Sequence, residues 1–540
     1  MRNRVPSVRA LALTISEDFK EATDGTAWPP SVRSVTFRGF FNLPIEGVFW
    51  PASIRQLAFG RHFNQPITGV VWPASLQKLT FGENFDRPVD RVTWPASLQA
   101  LEFGLCFNQP ISGAPLPKSL QTMKFGDEFN QPIAGVTWPT SLEHLVFGDG
   151  FNQPIVRVAW PASLKHLWFG MDFNQPVVGV AWPDSLQELC FGMDFNQPIA
   201  GVVWPASLQE LNFGRDFNQP IAGVLWPASL EAVTFQRRFN HPIADVAWPV
   251  TLRRLSFQGI WNQPIVRVRW PAGLQQLGLK GHFNQPITGV AWPASLTHLH
   301  FGESFDQPVA GATWPPSLHS LTFGTAFNQH IAGVVWPARL KQLQFGYRFD
   351  RSITQASWPC LLERLTFGRN FNQGIIGVTW PVSLQQLSLG DDFNQSIVGV
   401  TWPASLQKLL FGNGFNKPIV GAVWPTPLQE LSFGQSFNQP IAGVVWPTSL
   451  RSLAFGRYFN QPIAGLEWPA SLKKLKFGDR FNQPIVGVVW PVSLQRLTFG
   501  SGFRQPIDEV VWPAQLHTVA FEDSLIRHPT NTAWPVLDGW

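Results

Sequence analysis

Apolar residues return to the same places every 22 residues. Counted from a tryptophan, the unit reads W-P-A-S-L-Q-x-L-x-F-G-x-x-F-N-Q-P-I-x-G-V-x, and Trp204–Leu225 is a clean copy. The register holds without a slip from Trp28 to Trp534, 23 periods in all. A fixed period of this length marks a stacked repeat array rather than a set of separate domains. Within the unit, Pro205, Gly214, Pro220 and Gly223 leave no stretch long enough for a stable helix. Leu208 to Phe213 ends in apolar alternation at Leu211 and Phe213 and stops at Gly214, the pattern of a short half-buried strand. The segment from Pro220 to Trp226 is expected to form a second, shorter extended arm, and the recurring Phe-Gly is read as turn chemistry.

The predicted fold is therefore all-β, a parallel β-solenoid of about 23 stacked coils with negligible helix. Stacking places equivalent residues in ladders about 4.8 Å apart. One coil carries roughly seven large apolar side chains, worth about 1.5 to 3 kcal/mol each, against about 1.5 kcal/mol of ordering cost per residue, so coils must hold one another. Phe at the tenth and fourteenth positions should form core spines, and Asn at the fifteenth an internal amide ladder. Asp86, Asp306 and Asp350 take the Asn position in three units. Three regions are expected: 1–27 as a degenerate capping segment, 28–511 as the solenoid, and 512–540 as a degenerate capping repeat and tail. In the first of these, Leu11 and Leu13 echo Val35 and Phe37, with two extra residues before Phe19.

The strand motif Leu208-x-x-Leu211-x-Phe213 resembles that of leucine-rich repeats, and the whole unit, with its LxFGxxFNQPI core and P-x-S-L segment, resembles the FNIP repeats. That family is usually grouped with the leucine-rich repeats. Two departures stand out: Asn218 follows Leu208 by ten residues rather than eight, and Trp occupies a place where FNIP repeats carry a smaller aliphatic residue. Some members carry an F-box or a kinase domain. With 27 residues before Trp28, the resemblance implies a bare recognition module.

Charge and composition narrow the function. A net charge of +5 over 540 residues is too small to argue for nucleic acid. No run approaches 18 apolar residues, so no membrane span is expected. At the N-terminus Arg9 interrupts the apolar stretch and Asp18 ends it, a poor signal peptide. Cys106, Cys190 and Cys360 are odd in number and far apart, which disfavours a disulfide framework or zinc module and favours a reducing, cytoplasmic setting. No phosphate loop, catalytic triad order or HExxH motif occurs, so no enzyme, cofactor or metal is expected. His298 and His300 share a strand face without stacking on His319, whereas His144 and His166 stack and are expected to be solvated.

The expected function is a non-enzymatic scaffold whose strand face binds a protein partner. A structural or adhesive rod is the first alternative, a carbohydrate-active β-helix the second. Positions seven, nine, twelve and thirteen vary while their neighbours are nearly fixed. Along the array a block of acid, Asp172, Glu188, Asp194, Glu210 and Asp216, gives way to a block of base, Arg237, Arg238, Arg253 and Arg254. These nine residues form the candidate partner surface. A second basic group contains Arg451, Arg457, Lys473, Lys474, Lys476, Arg480 and Arg496.

Overall fold

The computed structural model describes residues 12–15, 28–29, 31–521 and 524–527. The chain divides into two compact units, 1–263 with 268–274, and 264–267 with 275–540. The first holds the strands from Ala12–Ile15 and Ser34–Phe37 to Arg254–Phe257, one per coil; the second holds those from Gln276–Leu279 to Thr518–Phe521, plus Ser524–Arg527. No helix occurs among the described residues. Within each unit, successive strands pair in parallel with partners 22 residues apart, as in Glu188↔Glu210 and Leu189↔Leu211, or Gln276↔His298 and Leu277↔Leu299.

Each strand is only three or four residues long because three turns close the rest of the coil. In the coil of Trp204, Leu208 N–H donates to the Pro205 carbonyl at 3.1 Å, Phe217 to Gly214 at 3.4 Å and Val224 to Ile221 at 3.3 Å. The expected second arm is therefore absent: Pro220 to Trp226 contains no strand, and Gly223 supplies a φ of 76° at the corner.

Seven apolar positions point inward, and Leu208, Leu211, Phe213, Phe217 and Ile221 are fully buried. The phenylalanines form the two expected spines. Phe213 stacks on Phe217 in its own coil at 4.2 Å and on Phe235 of the next at 5.2 Å, while Phe217 lies 6.0 Å from Phe195. No buried polar or charged residue interrupts this core among the described residues.

The polar ladder exists but runs along the surface, not inside. Asn196 and its equivalents are half-buried or exposed. Asn196 Oδ1 accepts the backbone N–H of Asn218 at 2.9 Å, and Gln219 Nε2 donates to the Asn196 carbonyl at 3.0 Å. What the fifteenth position must provide is an acceptor, which explains its tolerance of aspartate: Asp86, Asp306 and Asp350 accept from Asn108, Asn328 and Asn372 at 2.8 to 3.0 Å. Ser207 adds a third tie, donating to the Leu186 carbonyl at 2.8 Å.

One further expectation is refined and one corrected. Gly214 does open a turn, accepting from Phe217 N–H, but without a left-handed conformation; a Cβ there would run into the Gly192 carbonyl, so close coil contact is what requires glycine. At the N-terminus, Leu13 pairs with Val35 and Ile15 with Phe37, so the 22-residue register reaches that strand and the expected alignment of Leu11 and Leu13 is off by two residues. The remainder of the expected 1–27 segment lies outside the described residues, as does most of the tail after Phe521. Ser524–Arg527 pairs antiparallel to Thr518–Phe521, reversing the direction of the sheet at its last strand.

Candidate interaction face

Strand alternation turns positions seven and nine outward while eight and ten point into the core, as in Glu210 and Asn212 against Leu211 and Phe213. In the first unit this face carries a connected cluster. The rings of His144 and His166 are parallel with centroids 4.4 Å apart and both are half-buried, not freely solvated. Burial, then the neighbouring His166, hold the His144 imidazole below its ordinary pKa. His166 Nδ1 lies 3.0 Å from Glu188. The Cys190 thiol donates to Glu188 at 3.5 Å and accepts from Asn212 Nδ2 at 3.3 Å; burial pushes its pKa up to about 12, so it is an inert thiol. Beside it Trp168 is 43% exposed at position nine.

The nine candidate residues fall into two rows rather than one patch. Glu188, Glu210 and Arg254 stand on the strands, with Arg253 one residue before its strand. Asp172, Asp194, Asp216, Arg237 and Arg238 stand on the turn that follows the strand. Several neutralise one another. Arg254 reaches over Ala232 to pair with Glu210 two coils away. Arg215 bridges Asp194 at 4.0 Å and Asp216 at 3.1 Å, and Arg238 pairs with Asp216 at 3.2 Å, which relieves the repulsion expected of a carboxylate ladder. Asp172, Arg237 and Arg253 are exposed and form no ion pair among the described residues.

Trp168 is absent from the sequence-derived set although its signal was available: it is the one tryptophan of the repeats away from positions one and fourteen. In the second unit His300 is partly withdrawn from solvent, its pKa lowered by burial and then by Lys280. It borders a groove of about 490 Å³ floored by Gly302, Gly324, Gly346 and Gly368, where Arg369 lies over the Tyr347 ring at 5.4 Å. Among the described residues no group of three or more His, Cys, Asp or Glu could hold a metal ion, and no helix is long and apolar enough to cross a membrane.

The crystal structure of CroV588, described as a novel circular LRR protein, is similar with a TM-score of 0.77 and 39% identity, covering 92% of this chain and 79% of that one. Mouse RP105 in its complex with MD-1 shares the fold at a TM-score of 0.53 and 12% identity, over 95% of this chain and 91% of that one. Drosophila Toll, from the glycosylated Toll–Spatzle complex, does so at 0.51 and 13%, over 95% and 70%. No curated protein matches the chain by sequence. The profile described as FNIP Repeat matches in 14 windows that together span 41–238 and 283–524. With the repeat matched over most of its length, the chain belongs to the FNIP-repeat family.

Proposed function

We propose that the protein is a non-enzymatic scaffold that presents the outward strand face of its coils to a protein partner. The observation that carries this reading is the contrast between the two sides of each strand: inward positions are nearly invariant, while positions seven and nine change from Glu188 and Cys190 to Glu210 and Asn212, Ala232 and Thr234, then Arg254 and Ser256. A rigid backbone with a changing outer surface is what repeat arrays use for recognition. The partner surface comprises the acid and base rows from Asp172 to Arg254, extended by Trp168, since an exposed indole is a common interface anchor. The three cysteines are free, which accords with a cytoplasmic setting. In this reading residues 1–27 and 512–540 cap the solenoid, and the antiparallel strand Ser524–Arg527 covers the last parallel edge.

The test compares partner capture from native lysate by the intact protein and by Glu188→Lys, Glu210→Lys, Arg253→Glu, Arg254→Glu combined. Loss of specific partners by a variant whose melting temperature falls by no more than a few degrees supports the reading. Unchanged capture by the folded variant leaves the array a structural element without a partner at this face.

A further inference from the structure

In the second unit the charges on the outward face of three successive strands are all cationic. Lys474 and Lys476 both project from the strand Lys474–Lys476, and Arg496 starts the next one, directly paired with Lys474. Arg451 and Lys473 stand one above the other at the residue before their strands, and all five side chains are exposed. From Arg451 to Ala520 no carboxylate occupies positions six, seven or nine. The acid on the adjoining turn, Asp479, is engaged by Arg457 at 3.5 Å.

Three of the four other Lys or Arg side chains at position seven are paired with a carboxylate, Arg364 being the exception. Lys78 meets Glu102 at 2.7 Å, Lys408 meets Glu430 at 2.7 Å, and Arg254 pairs with Glu210. Like charges directly opposite in a ladder are destabilising. Lys474 against Arg496, and Lys473 against Arg451, carry that cost with no ion pair among the described residues to offset it.

We propose that this face is a docking site for a short acidic segment of a partner protein. Charge complementarity identifies the occupant. Three coils at about 4.8 Å each span roughly the length of four extended residues, so a run of a few Asp or Glu side chains matches the cluster. Single-stranded nucleic acid would need bases stacked on aromatic rings, and positions seven and nine of these coils carry none. The nearby Tyr458 has its ring covered by the Arg480 guanidinium at 4.5 Å. The site lies outside the acid and base rows of the first unit and does not depend on them.

The experiment is fluorescence anisotropy on the full chain with labelled hexaglutamate, hexaglutamine and oligothymidylate at near-physiological salt. Hexaglutamate should bind and hexaglutamine should not. Lys474→Gln, Lys476→Gln, Arg496→Gln combined should weaken hexaglutamate binding about tenfold or more, whereas Lys118→Gln, Arg339→Gln, Lys417→Gln, which removes as much charge from scattered sites, should change it less than about twofold. Equal weakening by both variants, no binding of hexaglutamate, or tighter binding of oligothymidylate lost in the same variant would each overturn the proposal. Reversal of the four charges in the first unit should leave hexaglutamate binding intact, which separates failure here from failure of the strand-face reading there.

Discussion

Gly214 lies against the carbonyl oxygen of Gly192, one coil before it, so closely that a methyl group has no room between them. The same relationship recurs down both units, for example Gly126 on Gly104 and Gly434 on Gly412. Gly223, at the other corner, has a φ of 76° but nothing within 4 Å of where a Cβ would stand. Two glycines of one coil are thus needed for different reasons. Gly214→Ala is expected to destabilise by about 4 kcal/mol or more, because backbone must move, and Gly223→Ala by about 1 to 2 kcal/mol of left-handed strain. Chemical denaturation of the two variants gives the ranking.

Phe213→Ala opens a cavity between the two spines and should cost about 3 to 5 kcal/mol. Asn212→Ala, on the outward face, loses only its bond to the Cys190 sulfur and should cost under about 1 kcal/mol. Comparable losses in thermal melts would contradict the observed strand phase.

The surface ladder predicts an unusual tolerance. Asn196→Asp keeps the acceptor for Asn218 N–H and should be neutral within about 0.5 kcal/mol, whereas Asn196→Ala strands that donor, leaving Gln219 only the backbone carbonyl of residue 196, and should cost about 1 to 2 kcal/mol. Urea titration of both variants decides it.

His144 gives stability a pH dependence whose sign is fixed. Its pKa is lower folded than unfolded, where 6.5 is ordinary, so the unfolded chain takes up the proton first. Its contribution is fully present above 6.5 and is lost as pH falls from there through the folded value. His300 acts in the same direction. Melting temperatures should fall on acidification below 6.5, and less steeply in His144→Gln, His300→Gln than in the parent.

Because each coil is held by its neighbours, removing Trp204–Leu225 entire should preserve a cooperative fold, and removing 11 residues from within it should not. Circular dichroism of the two deletions provides the comparison.

The inward half of the fold was legible because period and residue type coincide: Leu211 and Phe213 recur where Glu210 and Asn212 vary. What escaped depends on distances between coils. Ile221 and Val224 look like strand residues, yet a carbonyl-to-amide bond three residues on bends them into a corner. Phe-Gly reads as a turn and opens one, but the need for glycine comes from the Gly192 carbonyl, 22 residues away in sequence. Leu11 and Leu13 were aligned on side-chain likeness, whereas backbone pairing keeps the register at 22. At the candidate face, the positions of Glu210 and Arg254 were readable, but not their pairing, which needs the short side chain of Ala232 between them.

The asparagine ladder has a direction. Each rung lends an oxygen to the amide of the rung that follows, from Asn42 onward in the first unit and from Asn284 onward in the second. In the coil of Trp490 the place is held by Arg504, which borrows from Asn482 at 2.8 Å and has only donors to pass on, its guanidinium turned back to the carbonyls of Ser501 and Phe503. Further coils could be duplicated anywhere upstream and be zipped in, but none could be fastened after Arg504 by the same means. One substitution thereby acts as a full stop in the grammar of the repeat.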